Sequence, residues 1–138
     1  FADPHAAAVV LDSGIPATLL SLDVTHQVRA EPERLEPLRA LPGARPAIMV
    51  QLLEAANVLE ARWKEGRMTP MHDPSTIAYL LAPHLFESRK ATVSVDTTEG
   101  PRFGQTRLSA ETEGPHTWVT KADADGFFAL VEGLVTPS

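Results

Sequence analysis

The sequence predicts an α/β fold, and three observations carry it. A nearly continuous apolar run over 16–22 reads as a buried strand with both faces covered, the signature of parallel pairing. Apolar residues at helical spacing recur along the middle of the chain. Late in the chain, Ala91, Val93 and Val95 alternate with Thr92, Ser94 and Asp96, as in a half-exposed strand of a small antiparallel patch.

Taken in order, Asp3 caps and Pro4 opens a first helix through about Ser13, with Gly14 supplying the left-handed turn that ends it. The strand over 16–22 runs into Asp23-Val24-Thr25-His26, a polar tip that reads as a loop start or as site lining, because ligands gather beyond strand ends in open sheets. Glu31-Pro32 starts a second helix with Leu35, Leu38 and Leu41 on one face; Pro37 keeps it short or kinked. A long helix follows from about Arg45 to Lys64. Its apolar stripe is Ile48, Leu52, Ala55, Ala56 and Leu59, continued by Trp63, for which core packing is the first reading and stacking on a planar base the second. Gly66 to Met71 is a loop. A further helix from Pro74 is expected to turn Ile77, Leu80 and Leu81 inward, and Pro83 closes it. Strands at Thr106 to Ala110 and Thr117 to Lys121 complete the patch. A last helix, Ala122 to Leu134, carries Phe127, Leu130, Val131 and Leu134 on one face.

Composition narrows the function classes. The chain has 138 residues, enough for one domain or part of one, with 43% apolar and 22% charged residues. Its 12 basic and 18 acidic residues leave a net charge of −6 with no Lys/Arg cluster, which argues against a nucleic-acid partner. Without cysteine there are no disulfides, thiolate metal sites or cysteine nucleophiles, as suits a cytoplasmic protein. No run approaches the roughly 18 apolar residues of a spanning helix, so no membrane partner is expected. The chain opens on Phe1 and reaches Asp3-Pro4 at once, so it is expected to be a fragment whose N-terminal half is absent.

Met71-His72-Asp73-Pro74 is the candidate site. Asp before Pro is a helix-start device, repeated in kind at Asp3-Pro4 and Glu31-Pro32, so Asp73 reads as a cap; a cap also aims a carboxylate at a cation. His72 follows a loop and, as the one side chain that naturally exchanges protons near neutrality, could pass a proton to a leaving group, or be plain surface. His5 and His84 read as surface or capping groups, and His116 as a residue on or beside a strand. The five histidines show no His-x-x-x-His spacing, and there is no nucleophile elbow, P-loop or dinucleotide fingerprint.

Ala2-Asp3-Pro4-His5-Ala6-Ala7-Ala8, Ser13-Gly14-Ile15-Pro16, Leu22-Asp23-Val24-Thr25-His26 and Met71-His72-Asp73-Pro74 occur in an order and spacing that resembles the C-terminal half of the inosine–uridine-preferring nucleoside hydrolases. The resemblance implies the C-terminal part of a mostly parallel open α/β sheet, and hydrolysis of the N-glycosidic bond of ribonucleosides to ribose and free base, with a place in nucleoside salvage. It implies a calcium ion with Asp73 as one ligand, His72 as catalytic proton donor to the base, and a homo-oligomer. The family's Asp-rich motif and its Asn/Glu/Asn ribose cluster have no counterpart in these 138 residues, which leaves a catalytically dead binding or assembly module as the alternative. Ser75-Thr76 departs from the apolar, Cys or Ala residues usual after the motif.

Overall fold

The computed structural model describes residues 2–63, 67–109 and 113–136. In order the elements are α1 (Pro4–Asp12), β1 (Thr18–Leu19), α2 (Leu22–Thr25), α3 (Pro32–Ala40), α4 (Ala44–Trp63), α5 (His72–Leu81), a 3-10 turn (Pro83–Leu85), β2 (Phe86–Val95), β3 (Thr106–Ser109), β4 (His116–Ala122) and α6 (Ala124–Val135). The chain divides into two compact units, Phe1–Leu19 with Ser88–Thr120, and Leu20–Glu87 with Lys121–Ser138. The expected ends of α4 and β3 at Lys64 and Ala110, and Gly66 at the start of the expected loop, lie outside the described residues.

The first unit holds α1 and most of a sheet ordered β1-β4-β2-β3. The Asp3 carboxylate accepts from the Ala6 N–H at 2.8 Å, the predicted cap, and Gly14 takes φ 77° just past the helix. β1 is parallel as predicted, with Thr18 opposite Thr117 and Leu19 opposite Trp118, but it is not the expected buried strand: Thr18 is exposed and Leu19 half-buried. It is only two residues long, because Pro16 has no N–H to give and Leu22 already belongs to α2. β2 and β3 pair antiparallel from Thr92–Ser109 to Val95–Thr106. The predicted alternation holds through Ser94, with Ala91 and Val93 buried and Thr92 and Ser94 facing out, and lapses at Val95 and Asp96, which are both half-buried. Gly114 lies flat on this strand; a Cβ there would sit 1.9 Å from the Ala91 carbonyl carbon and 2.2 Å from the Thr92 nitrogen.

In the second unit, α3 packs on α4 and α6, α2 on α5, and α6 also on α4 and α5. Leu35 and Leu38 are buried as expected, and Val24, Val28, Val50, Met71, Phe127 and Phe128 are among the residues that share the core with them. α6 begins at a true cap, with Asp123 accepting from the Gly126 N–H at 3.0 Å. Leu134, expected inward, is exposed.

Two helices bury the face opposite to the one predicted. On α4, Ile48, Leu52, Leu59 and Trp63 are exposed, Trp63 by 84%, while Pro46 and Val50 are buried and Leu53 and Asn57 half-buried. On α5, Ile77, Leu80 and Leu81 are exposed while Ser75 and Ala78 are buried. Two positions along a helix are about 200° around it, so each predicted stripe stands behind the buried one. Both helices are apolar or small on both sides, and a period alone does not choose between two such faces. On α5 the small side chains won, since Ser75 and Ala78 allow close approach that Ile77 and Leu80 would block.

Candidate functional site

The site residues are brought together by a short backbone pairing. Arg29 and Pro70 form an antiparallel bridge, flanked by Met71 N–H to Val28 C=O at 2.8 Å and Ala30 N–H to Thr69 C=O at 2.9 Å. Asn57, on the inner face of α4, spans the pair: its amide donates to the Ala30 carbonyl at 2.8 Å and accepts from the Thr69 N–H at 2.7 Å. The Arg29 guanidinium donates to the Met68 carbonyl. These bonds fix the approach to α5, so His72 enters the helix with its backbone already placed.

Asp23-Val24-Thr25-His26 is not the expected loop. It forms the single turn α2 with His26 as its C-cap, and Val24 and Thr25 are buried because α2 packs on α5. Thr25 Oγ1 meets His72 Nδ1 at 2.7 Å, a bond between residues 47 apart in the chain. The His26 ring lies 5.5 Å from the His72 ring, centroid to centroid, at 52°. His72 is half-buried, so the ring is held on one side and open on another. Asp23 is exposed and takes no part.

Asp73 does not cap α5. The helix starts one residue before it, the N-cap is Met71, and no side chain caps there. Met71 takes that place because its N–H is already bound to Val28. The exposed Asp73 carboxylate therefore sits in the first turn, where the positive end of the helix favours a negative charge without a specific bond. Glu31 likewise makes no side-chain cap on α3. Asp73 and Pro74 edge an apolar groove of about 480 Å3 between α5 and α6, walled further by Ile77, Leu81, Phe127 and Leu130.

Calcium takes six to eight oxygen ligands. Among the described residues no three His, Cys, Asp or Glu side chains gather as a metal site, so Asp73 belongs to no such cluster and the described residues do not by themselves hold the ion. Of the remaining histidines, His5 is exposed 5.8 Å from the Phe103 ring, His84 is exposed in the 3-10 turn, and His116 is buried at the start of β4 with Nδ1 unpartnered among the described residues. A polar cleft of about 440 Å3 at the start of α6 holds none of the predicted residues, and its charges pair internally, Arg34 with Asp125 at 2.9 Å and Lys121 with Glu87 at 2.8 Å.

Sequence reasoning named His72 and Asp73, and it singled out Thr25 and His26 without a partner for either. It missed Asn57, whose one signal was a carboxamide in the middle of an apolar helix. No helix among the described residues is long and apolar enough to cross a membrane.

The chain is similar to known proteins. The model of the inosine-uridine preferring nucleoside hydrolase family matches residues 1–129. The pyrimidine-specific ribonucleoside hydrolase RihA of Shewanella baltica is 40% identical over 107 residues, 77% of this chain and 34% of that protein. An uncharacterized protein of Schizosaccharomyces pombe is 36% identical over 139 residues, 97% of this chain and 45% of that one. Among solved structures, a plant nucleoside hydrolase superposes with a TM-score of 0.83 at 18% identity, covering 99% of this chain and 46% of its own. A purine-preferring ribonucleoside hydrolase from Gardnerella vaginalis gives 0.79 at 23% identity, over 96% and 44%. The chain thus spans between a third and a half of the length of these relatives. With the family model matching nearly its whole length, the chain belongs to the inosine–uridine preferring nucleoside hydrolases.

Proposed function

We propose that this chain is the C-terminal portion of a single nucleoside hydrolase-like domain and that it serves the hydrolysis of ribonucleosides to ribose and free base. The observation that carries the reading is His72, fixed by a buried threonine at the start of α5 beside an exposed, uncapped carboxylate, within a chain the family model spans. Support for a larger domain comes from the exposed Ile48, Leu52, Leu59, Ile77 and Leu80, large apolar side chains that a further part of a domain would cover. RihA is pyrimidine-specific and the Gardnerella enzyme purine-preferring, so the proposed substrate is a ribonucleoside without an assigned base preference.

In the proposed reaction the C1′–N bond breaks with its electron pair moving to the base, and a water oxygen bonds to C1′ through an oxocarbenium-like transition state. His72 gives a proton to the departing base, and the water's proton leaves to a base outside the described residues. Asp73 is proposed as one oxygen ligand of a calcium-dependent site, and no step is assigned to the ion. A cytoplasmic location, a role in nucleoside salvage and a homo-oligomer belong to the same reading.

The test is His72→Ala in an active hydrolase containing this sequence. Turnover should fall by 10²–10⁴-fold on nucleosides with poor leaving bases, the usual range for a positioned acid, and hardly at all on an activated aryl riboside. Equal loss on both would remove the leaving-group role. A second reading, a catalytically silent binding or assembly module, is favoured by the lack of a metal-site cluster among the described residues. Calorimetric titration of the chain with calcium and ribose tests whether the site is incomplete: tight binding by the chain alone would contradict the incompleteness, and none would leave it standing.

A further inference from the structure

We propose that Thr25 is the positioning residue for His72, and that its hydroxyl selects which ring nitrogen carries the proton. The proposal rests on the reading of His72 as the proton donor. The two contacts of Thr25 Oγ1 are unequal: 2.7 Å to His72 Nδ1 and 3.5 Å to the Leu22 carbonyl. A hydroxyl proton lies on the shorter line, so in the neutral ring Thr25 donates to Nδ1 and the proton sits on Nε2. When the ring is cationic, Nδ1–H donates to Thr25 Oγ1, whose own proton turns toward Leu22. A hydroxyl both donates and accepts, so the bond survives both states, and Nε2 carries a hydrogen in each. Nε2, on the far side of the ring from Thr25, is therefore the free donor: as the C1′–N pair departs, the cationic ring hands its Nε2 proton to the base nitrogen and is left neutral, its remaining hydrogen on Nδ1 still donated to Thr25 Oγ1.

Placement supports the assignment. Thr25 is 3% exposed, so no water competes for its hydroxyl, and α2 packs directly on α5. His26, the residue that ends α2, lays its ring against His72 and limits rotation that would swap the two nitrogens. Valine has the shape of threonine without the hydroxyl, and serine keeps the hydroxyl without the methyl, so the pair isolates the group in question.

The experiment is a two-bond 1H–15N correlation of the histidine rings in the 15N-labelled 138-residue chain, at about pH 8.5, where an ordinary imidazole is neutral. His72 is assigned by the signal lost in His72→Asn. The expected wild-type pattern is an unprotonated Nδ1 and a protonated Nε2, kept in Thr25→Ser and broken into a tautomer mixture in Thr25→Val. A proton on Nδ1 in the wild type, or an unchanged pattern in Thr25→Val, would overturn the proposal; should Thr25→Val not fold, the wild-type and serine spectra decide. In an active hydrolase containing this sequence, Thr25→Val should lower kcat on nucleosides with poor leaving bases by about tenfold to a hundredfold, leave KM and the activated aryl riboside unaffected, and be rescued by Thr25→Ser. If His72→Ala shows no dependence on the leaving group, the acid role fails while the tautomer result stands. If only Thr25→Val lacks that dependence, it is the positioning role that fails.

Discussion

Replacing Asn57 by alanine should be among the most damaging changes on α4, although no substrate role is assigned to it. Its amide closes two bonds at once, to the Ala30 carbonyl at 2.8 Å and from the Thr69 N–H at 2.7 Å. Ala30 is fully buried, and Asn57 and Thr69 are half-buried, so water replaces these bonds only in part. An unsatisfied buried group costs roughly 1–3 kcal/mol, and partial access places each here near the lower half of that range. Two such groups predict a loss of about 2–4 kcal/mol, a large share of a total stability of about 5–15 kcal/mol. With a urea slope of about 2 kcal/mol/M, the unfolding midpoint should fall by about 1–2 M with the slope unchanged. Asn57→Asp should recover part of the loss, because it still accepts from Thr69 while facing the Ala30 carbonyl without a donor. A midpoint shift below about 0.3 M for alanine would refute the claim that Asn57 holds the 28–30 and 69–71 segments together.

Three further outcomes are expected. Gly114→Ala forces a methyl into the backbone of Ala91 and Thr92, so it should cost more than the roughly 1–3 kcal/mol of ordinary overpacking, read by thermal unfolding; a near-neutral Tm would mean that the 113–116 segment moves freely away from β2. Asp73→Ala should change stability by less than about 1 kcal/mol, since only a first-turn charge is lost, yet weaken calcium binding by an active hydrolase containing this sequence; unchanged calcium affinity would remove the ligand role. Asp96 has its pKa lowered, first by the Thr98 N–H at 3.0 Å and then by Arg107 and Arg102, against a burial effect that raises it. A depressed carboxyl stabilises the fold above its ordinary value of about 4 and loses that contribution as pH falls through the lower native value. Asp96→Asn should therefore flatten the acid limb of a stability–pH curve, and an unaltered limb would assign that limb to other carboxylates.

The sequence by itself determined what depends on neighbours along the chain. Asp3 and Gly14 bound α1, and Ala91 and Val93 marked the inner face of β2, because caps and period-two alternation are local physics. The order of its motifs also identified the family and pointed to His72 and Asp73. Tertiary structure decided everything that required a choice between equivalent local options. It turned Val50 and Ser75 inward and left Leu52 and Ile77 bare, because both faces of α4 and α5 satisfied the same period. It moved the start of α5 back to His72, since Met71 is tied to Val28, and so freed Asp73 from the capping role that Asp-Pro suggests. It also gave His72 its partner, Thr25, across 47 residues of chain, a separation at which no local pattern carries information and only packing of α2 on α5 can bring a hydroxyl to an imidazole.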